Sequence, residues 1–290
     1  MKSPPFTYHR PSTLQEAVGL LRAHENSKVL AGGQSLMSML NLRYLFPDAL
    51  VDINRVAELA GIDANAERVR FGAMTRQRAI ERDSAVARLL PVVTRALTYV
   101  GHRQTRNRGT IGGSLCHLDP AAELPTLALL HDAVVEVAGI SGTRRMPIVE
   151  FIAGFMTPAI DPDEIVSAVE FPIWPAGHGW GFHEFSRRHG DFAIASAACL
   201  VSRDGGDRVT RAAIAIGGVG TIPQRLPSAE TVLVGSAGDA ASIEDAVARC
   251  VDLESIGDFH GSADYRVSVA RSMLRRALRD ALGQAGTPSS

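Results

Sequence analysis

Two glycine pairs constrain this chain more than any other feature. The first stands in VLAGGQSLMSMLNLR (residues 29–43), after a short apolar run and before a helical pattern, and the second stands in NRGTIGGSLCHLDP (residues 107–120). Glycine costs conformational entropy wherever it is used, so a Gly-Gly step between a strand and a helix implies an unusual φ or a close approach to something. Neither loop carries the G-x-G-x-x-G fingerprint of a Rossmann dinucleotide site. A bare backbone still suits an anion. Successive N–H groups at Gly32, Gly33, Gln34 and Ser35 can form a nest, reinforced by the dipole of the following helix, and Ile111, Gly112, Gly113 and Ser114 can form another. Two nests match a pyrophosphate bridging the halves of a dinucleotide. Beside the second loop, His102, Arg103, Arg106 and Arg108 offer cationic groups for that charge, or else read as a solvated charge run.

Around these loops the hydrophobic periodicity sketches an α+β chain. Leu14, Ala17, Val18 and Leu21 recur at helical spacing behind Ser12-Thr13 with Gln15 and Glu16 as capping partners. A strand over 28–31, a helical turn over 38–42 and a strand over 50–53 complete a β-α-β unit. A strand begins at 68, helices are predicted near 75–82 and 84–100 with Gly101 as terminator, and strands at 133–138 and 165–171 follow. The run FPIWPAGHGWG (171–181) concentrates Pro, Gly and Trp as a linker or crossing does. Apolar stretches at 193–201 and 209–216 come next, then a terminal helix with Ala270, Met273, Leu274, Ala277 and Ala281 on one face. The closing GQAGTPSS reads as disordered.

Composition removes several function classes. With 290 residues, 46% of them hydrophobic, the chain can bury a substantial core in two or three subdomains. Thirty Lys+Arg against 31 Asp+Glu leave a net charge of -1, so no global field draws nucleic acid or an anionic membrane. The only lysines, Lys2 and Lys28, leave no P-loop and no plausible Schiff-base site. Cys116, Cys199 and Cys250 are widely spaced, which fits a reducing compartment and gives no ligand set for an iron–sulfur cluster. The N-terminal stretch does not read as a signal peptide and no apolar run spans a bilayer, so a cytoplasmic location is expected. Cys116 with His117 could imitate a nucleophile–base pair, but adjacent side chains point apart and no third orienting group is evident. GGVG at 217–220 reads as a tight structural turn.

The ordered set AGGQS, NRGTIGGS leading into CHLDPAAELP, SRRHGDFAIASAA (186–198), IGGVGTIPQR (216–225) and DYRVSVARSMLRRAL (264–278) resembles the FAD-binding medium subunit of the molybdenum hydroxylases, the xanthine dehydrogenase and carbon monoxide dehydrogenase family. The resemblance spans nearly the whole chain. It implies a p-cresol methylhydroxylase-type fold with FAD held between two α+β subdomains, here 1–55 and 56–175, followed by a C-terminal α+β domain, 176–290. Residues Val29, Leu30, Ala31, Gly32, Gly33, Gln34, Ser35 and Leu36, with Thr110, Ile111, Gly112, Gly113 and Ser114, would hold the FAD diphosphate. Glu123 falls where the family often has an acidic contact to the adenosine half, and Val166 matches an apolar position near the adenine or the ring system. Glu123 is equally readable as a helix-start charge and Val166 as strand core. The stretch containing His183, Asp191 and Phe192 approaches the flavin in the family, where several relatives have lysine in place of His183 and tyrosine in place of Phe192.

The resemblance further implies an electron-transfer role without catalytic side chains or a metal in this chain. An iron–sulfur small subunit would supply [2Fe–2S] clusters and a large subunit the molybdopterin, in a dimer of heterotrimers, with an external acceptor taking the electrons. A self-contained flavoenzyme of the same superfamily and a FAD-free scaffold are the competing expectations.

Overall fold

The computed structural model describes residues 2–205 and 207–286. The described residues build three larger sheets in succession, with a two-stranded pairing of Ile152–Gly154 and Thr157–Pro158 beside the second. In the first, strands Thr7–His9 and Ser27–Leu30 flank Ala49–Asp52, all parallel, as a β-α-β path requires. Helix Leu14–Ala23 covers this sheet through Ala17, Val18 and Leu21. Its cap divides the expected box between two residues: the Thr13 hydroxyl accepts from the Glu16 N–H, while the Glu16 carboxylate accepts from the Ser12 N–H. The tail of the first glycine loop winds into helix Leu36–Asn41.

The second sheet is antiparallel in the spatial order Ile62–Ala64, Arg68–Gly72, Ile165–Pro172, Val134–Gly139 and Gly142–Pro147. One face carries the apolar side chains Val69, Phe71, Val135, Val137 and Val169, and onto it pack the helices drawn from residues 77–130. The predicted long helix over 84–100 is two helices, Ser84–Leu89 and Pro91–Leu97, because Pro91 has no N–H to continue the first ladder and serves as the opening residue of the second. Gly101 does adopt the left-handed φ of +46°, but three residues beyond the end of helical geometry at Thr98.

The third sheet, Gly179–Phe185, Ala195–Arg203, Val209–Gly217 and the short Gln224–Arg225, is antiparallel and has a different neighbour on each face. Phe182, Ala198, Leu200, Ala213 and Ala215 join the core of the helices above. Ala195, Ala197, Cys199, Val201 and Ile214 meet the terminal helix Ala263–Gln284 through Ala270, Leu274, Ala277 and Ala281. Gly181 permits that approach, since a methyl group there would lie 2.0 Å from the Ala277 carbonyl oxygen. The Pro/Gly/Trp run packs within the chain. Trp174 is buried and the Arg211 guanidinium stacks 4.0 Å from its ring centroid. The terminal helix runs through Gln284, further than the sequence suggested; residues 287–290 of the expected disordered tail lie outside the described residues.

Candidate functional site

The two glycine loops lie against each other. A methyl group on Gly32 would fall 2.4 Å from the Arg108 carbonyl oxygen and 2.9 Å from Gly109 Cα, and one on Gly113 would come within 3.7 Å of Ala31 Cβ. Two polar side chains fasten this contact. Asn54, just past the central strand of the first sheet, donates from Nδ2 to the Ala31 carbonyl at 2.9 Å. Arg76 donates from one guanidinium nitrogen to Asn54 Oδ1 and from the other to the Arg108 carbonyl. Neither residue was marked in the sequence, where nothing local signals a bridge between segments so far apart.

The loops differ in what their backbones leave available. Gly33 takes φ +72°, and among the described residues no protein acceptor meets the N–H groups of Gly32, Gly33, Gln34 and Ser35. That run leaves its donors open, as a nest requires. In the second loop every corresponding N–H is engaged: Ile111 donates to the Thr75 carbonyl, Gly112 to Ala73, Gly113 to the Thr110 hydroxyl and Ser114 to the Thr110 carbonyl. Thr110 acts as the N-cap of helix Ile111–His117, which corrects the expectation of a second nest built from those four N–H groups. Gly112 is bare for a different reason, because a methyl group there would lie 2.5 Å from Ala73 Cβ and 2.9 Å from its carbonyl oxygen.

Of the cationic residues expected at this contact, Arg108 is joined there by Arg76, which the sequence did not single out, while Arg106 is turned to another task. Arg106 is buried and holds Glu81 at 2.8 Å and the Val100 carbonyl at 2.9 Å, a structural role. Arg76 is half-buried, and burial together with the charge of Arg108 lowers its pKa. The Arg76 guanidinium, within electrostatic reach of Arg108, and the four unpartnered N–H groups of the first loop are the chemistry an anion requires. A cavity of about 370 Å³ adjoins it, lined by Asn54, Val56, Met74, Thr75 and Arg76 among others.

The remaining expected residues lie at the junction of the second and third sheets or within the core. Val166 is buried in the core of the second sheet. Glu123 opens helix Glu123–Leu130, and burial pushes its carboxyl up to about 7, helped by the charge of Asp119. His183 faces the terminal helix, where its Nε2 meets Asp280 Oδ2 at 2.8 Å. Glu184, next in the strand and absent from the sequence expectations, takes the opposite face. Asp191 and Phe192 sit on the exposed turn after that strand, with Phe192 69% exposed. Gly190 in this turn has φ +88°, and a methyl group there would lie 2.8 Å from the His102 ring, so the turn leans on the second glycine segment. Burial pushes the Cys116 thiol up to about 12, which disfavours the thiolate that a nucleophile needs. Gly218 in the GGVG turn has φ +78° and donates to the Pro120 carbonyl at 2.7 Å, which is a structural use.

Comparison with known proteins agrees with this architecture along the whole chain. The family described as FAD binding domain in molybdopterin dehydrogenase matches residues 4–174, and that described as CO dehydrogenase flavoprotein C-terminal domain matches residues 180–281. The 6-hydroxypseudooxynicotine dehydrogenase complex subunit alpha of Paenarthrobacter nicotinovorans is 40% identical, with 98% of this chain and 97% of the relative covered. The carbon monoxide dehydrogenase medium chain of Afipia carboxidovorans is 35% identical, covering 97% of this chain and 98% of the relative. A solved carbon monoxide dehydrogenase from Hydrogenophaga pseudoflava superimposes with a TM-score of 0.95 at 34% identity, over 99% of this chain and 100% of that one.

Proposed function

Since the chain belongs to the family of FAD-binding medium subunits of the multi-subunit molybdenum hydroxylases, we propose that it receives electrons from [2Fe–2S] clusters on a small partner subunit and passes them to an external acceptor. The substrate is oxidised at a molybdopterin centre on a large partner. FAD supplies the conversion between single-electron and paired-electron transfer when bound. The observation that carries this reading is the contact between the two glycine loops, with the free N–H groups of Gly32, Gly33, Gln34 and Ser35 beside Arg76 and Arg108. Those groups would hold the diphosphate. Thr110, Ile111, Gly113 and Ser114 would form the opposing wall, Gly112 lets that loop seat on Ala73, and Val29, Leu30, Ala31 and Leu36 would frame the first loop.

Glu123 would contact the adenosine half, and the segment from His183 to Phe192 would approach the ring system. No side chain of this subunit need move a proton of the substrate, which fits relatives named for substrates as unlike as carbon monoxide and 6-hydroxypseudooxynicotine. The complex is read as a dimer of heterotrimers in the cytoplasm; no helix among the described residues is long and apolar enough to cross a membrane. Purification of the tagged chain from its own host tests the proposal. The expected result is a near-stoichiometric flavin spectrum, with iron and molybdenum arriving only with two further subunits. A single chain that oxidises substrate with an artificial acceptor, free of both metals, would promote the self-contained flavoenzyme instead.

A further inference from the structure

The parallel strands of the first sheet end at the first glycine loop. Leu30, which leads into that loop, pairs with Asp52, the last residue of the central strand. Open sheets of parallel strands take their ligands outside these carboxyl ends. Tyr8 on the edge strand is level with Leu50, two residues before Asp52, so the two side chains emerge on one face. The Asp52 side chain is buried, and both of its oxygens are engaged. Oδ2 accepts from the Tyr8 hydroxyl, with the Arg10 Nε 3.7 Å away. Oδ1 accepts twice from Asn54, from its backbone N–H at 2.9 Å and from its side-chain Nδ2. That second bond decides which way the Asn54 amide is turned. With Nδ2 drawn to Asp52 and to the Ala31 carbonyl, Asn54 Oδ1 is left facing Arg76, which donates to it and to the Arg108 carbonyl.

An ionised carboxylate only accepts, whereas an amide has one donating and one accepting end. Burial alone would raise the Asp52 carboxyl, but the hydrogen bonds from Tyr8 and Asn54 and the charge of Arg10 outweigh it and hold the group below the usual carboxylate range. Turned the other way, the Asn54 amide would set its oxygen against this carboxylate and its N–H groups against Arg76, two repulsions in place of two bonds. We propose that Asp52, anchored by Tyr8, is a positioning residue for the cofactor: it fixes the Asn54 amide, and through that amide the first glycine loop and Arg76 are held at the spacing the FAD diphosphate requires. This rests on the FAD reading above. Charge does not explain the residue, because the Asp52 carboxylate lies within electrostatic reach of Arg76 and so opposes an anion there. Capping the turn Ile53–Arg55 does not explain it either, since the cap uses the Asn54 backbone N–H and one oxygen alone.

The test is a fluorescence titration of the flavin-stripped full chain with FAD at neutral pH, for wild type, Asp52→Ser and Asp52→Asn, beside thermal melts of the FAD-free proteins. Serine and asparagine both cap a turn as well as aspartate does, and both remove the same charge. They differ in reach. Serine cannot span the distance to Asn54 Nδ2 and Tyr8 together, so Asp52→Ser should bind FAD roughly tenfold more weakly. Asparagine can turn its oxygen to Asn54 and its N–H2 to the Tyr8 hydroxyl, so Asp52→Asn should stay within about threefold of wild type. Equal affinities in the two variants, whether tighter than wild type or unchanged, overturn the positioning role and leave the FAD reading standing. A loss in Asp52→Ser that the unfolded fraction in its melt accounts for overturns it as well. Tyr8→Phe decides the matter even where Asp52→Ser fails to fold, because Tyr8 is 50% exposed and the change carries no charge. It should weaken FAD binding by about twofold or more at an unchanged circular dichroism spectrum, and wild-type affinity there overturns the proposal. Failure of wild type to bind FAD overturns both this role and the FAD reading.

Discussion

Gly32→Ala is the sharpest test of whether the contact between the two loops is the cofactor site. The added methyl group would start 2.4 Å from the Arg108 carbonyl oxygen and 2.9 Å from Gly109 Cα, both backbone atoms that cannot rotate aside. Carbon atoms rest comfortably near 3.5 Å, so the loops must part by about 1 Å. The ties from Asn54 to Ala31 and from Arg76 to Arg108 stretch with them. A binding constellation tolerates roughly 0.5 Å of misplacement, and a displacement of about 1 Å can cost on the order of 100-fold, near 2.7 kcal/mol. FAD affinity should therefore fall between about tenfold and 100-fold, for an overpacking cost in stability of roughly 1–3 kcal/mol. Gly112→Ala is the paired control. Its methyl group would strike Ala73 inside the fold and not the facing loop, so it should lower the melting temperature and reduce flavin content only as folded protein is lost. Both variants are read by FAD fluorescence titration beside denaturant unfolding. Wild-type FAD affinity in Gly32→Ala, or loss of FAD by Gly112→Ala at an unchanged melting temperature, would refute the assignment of the two glycines to different tasks.

Three further outcomes follow from the same contacts. Thr110→Val removes the hydroxyl that accepts from the Gly113 N–H at 3.1 Å, and should cost about 1 kcal/mol in denaturant unfolding. Arg76→Lys keeps the charge but loses the planar fork that reaches Asn54 and the Arg108 carbonyl together; FAD affinity should drop several-fold with an unchanged circular dichroism spectrum. His131 is buried, its Nδ1–H donates to the Pro172 carbonyl at 3.2 Å, and burial pushes its pKa down to about 4. Its neutral form is favoured in the native state, so the contribution to stability is whole above the unfolded value near 6.5 and declines as pH falls toward 4. The urea midpoint of wild type should accordingly fall more between pH 7 and pH 5 than that of His131→Gln.

The first sheet was legible in the sequence because every signal there is local: helical spacing from Leu14 to Leu21, two short apolar runs and a glycine pair between them. Strand Gly142–Pro147 was not, since GTRRMP lies at a sheet edge, mostly exposed, with Arg144 and Arg145 bound to Glu164 and Glu170, and it shows no apolar alternation. The glycine loops announced an unusual backbone without announcing its cause. Gly32 is bare for the facing loop, Gly112 for Ala73 and Gly33 for its φ, and these reasons depend on neighbours at least three dozen residues away or on a dihedral that the residue type only permits.

The strand containing His183 shows where more could have been read. Gly179 and Gly181 are two residues apart, and each is bare because the terminal helix presses a backbone carbonyl against it, Ala281 at 1.8 Å and Ala277 at 2.0 Å from where a methyl group would sit. The period of a strand places His183 on that same helix-facing side, and the pairing with Asp280 agrees. Trp180, Phe182 and Glu184 must then look the other way, toward the FAD-binding half, where two aromatic side chains need no explanation and a carboxylate does. The alternation of two glycines with two aromatics marks the faces of this strand, and it makes Glu184, not His183, the charged residue whose position a packed interior has to justify.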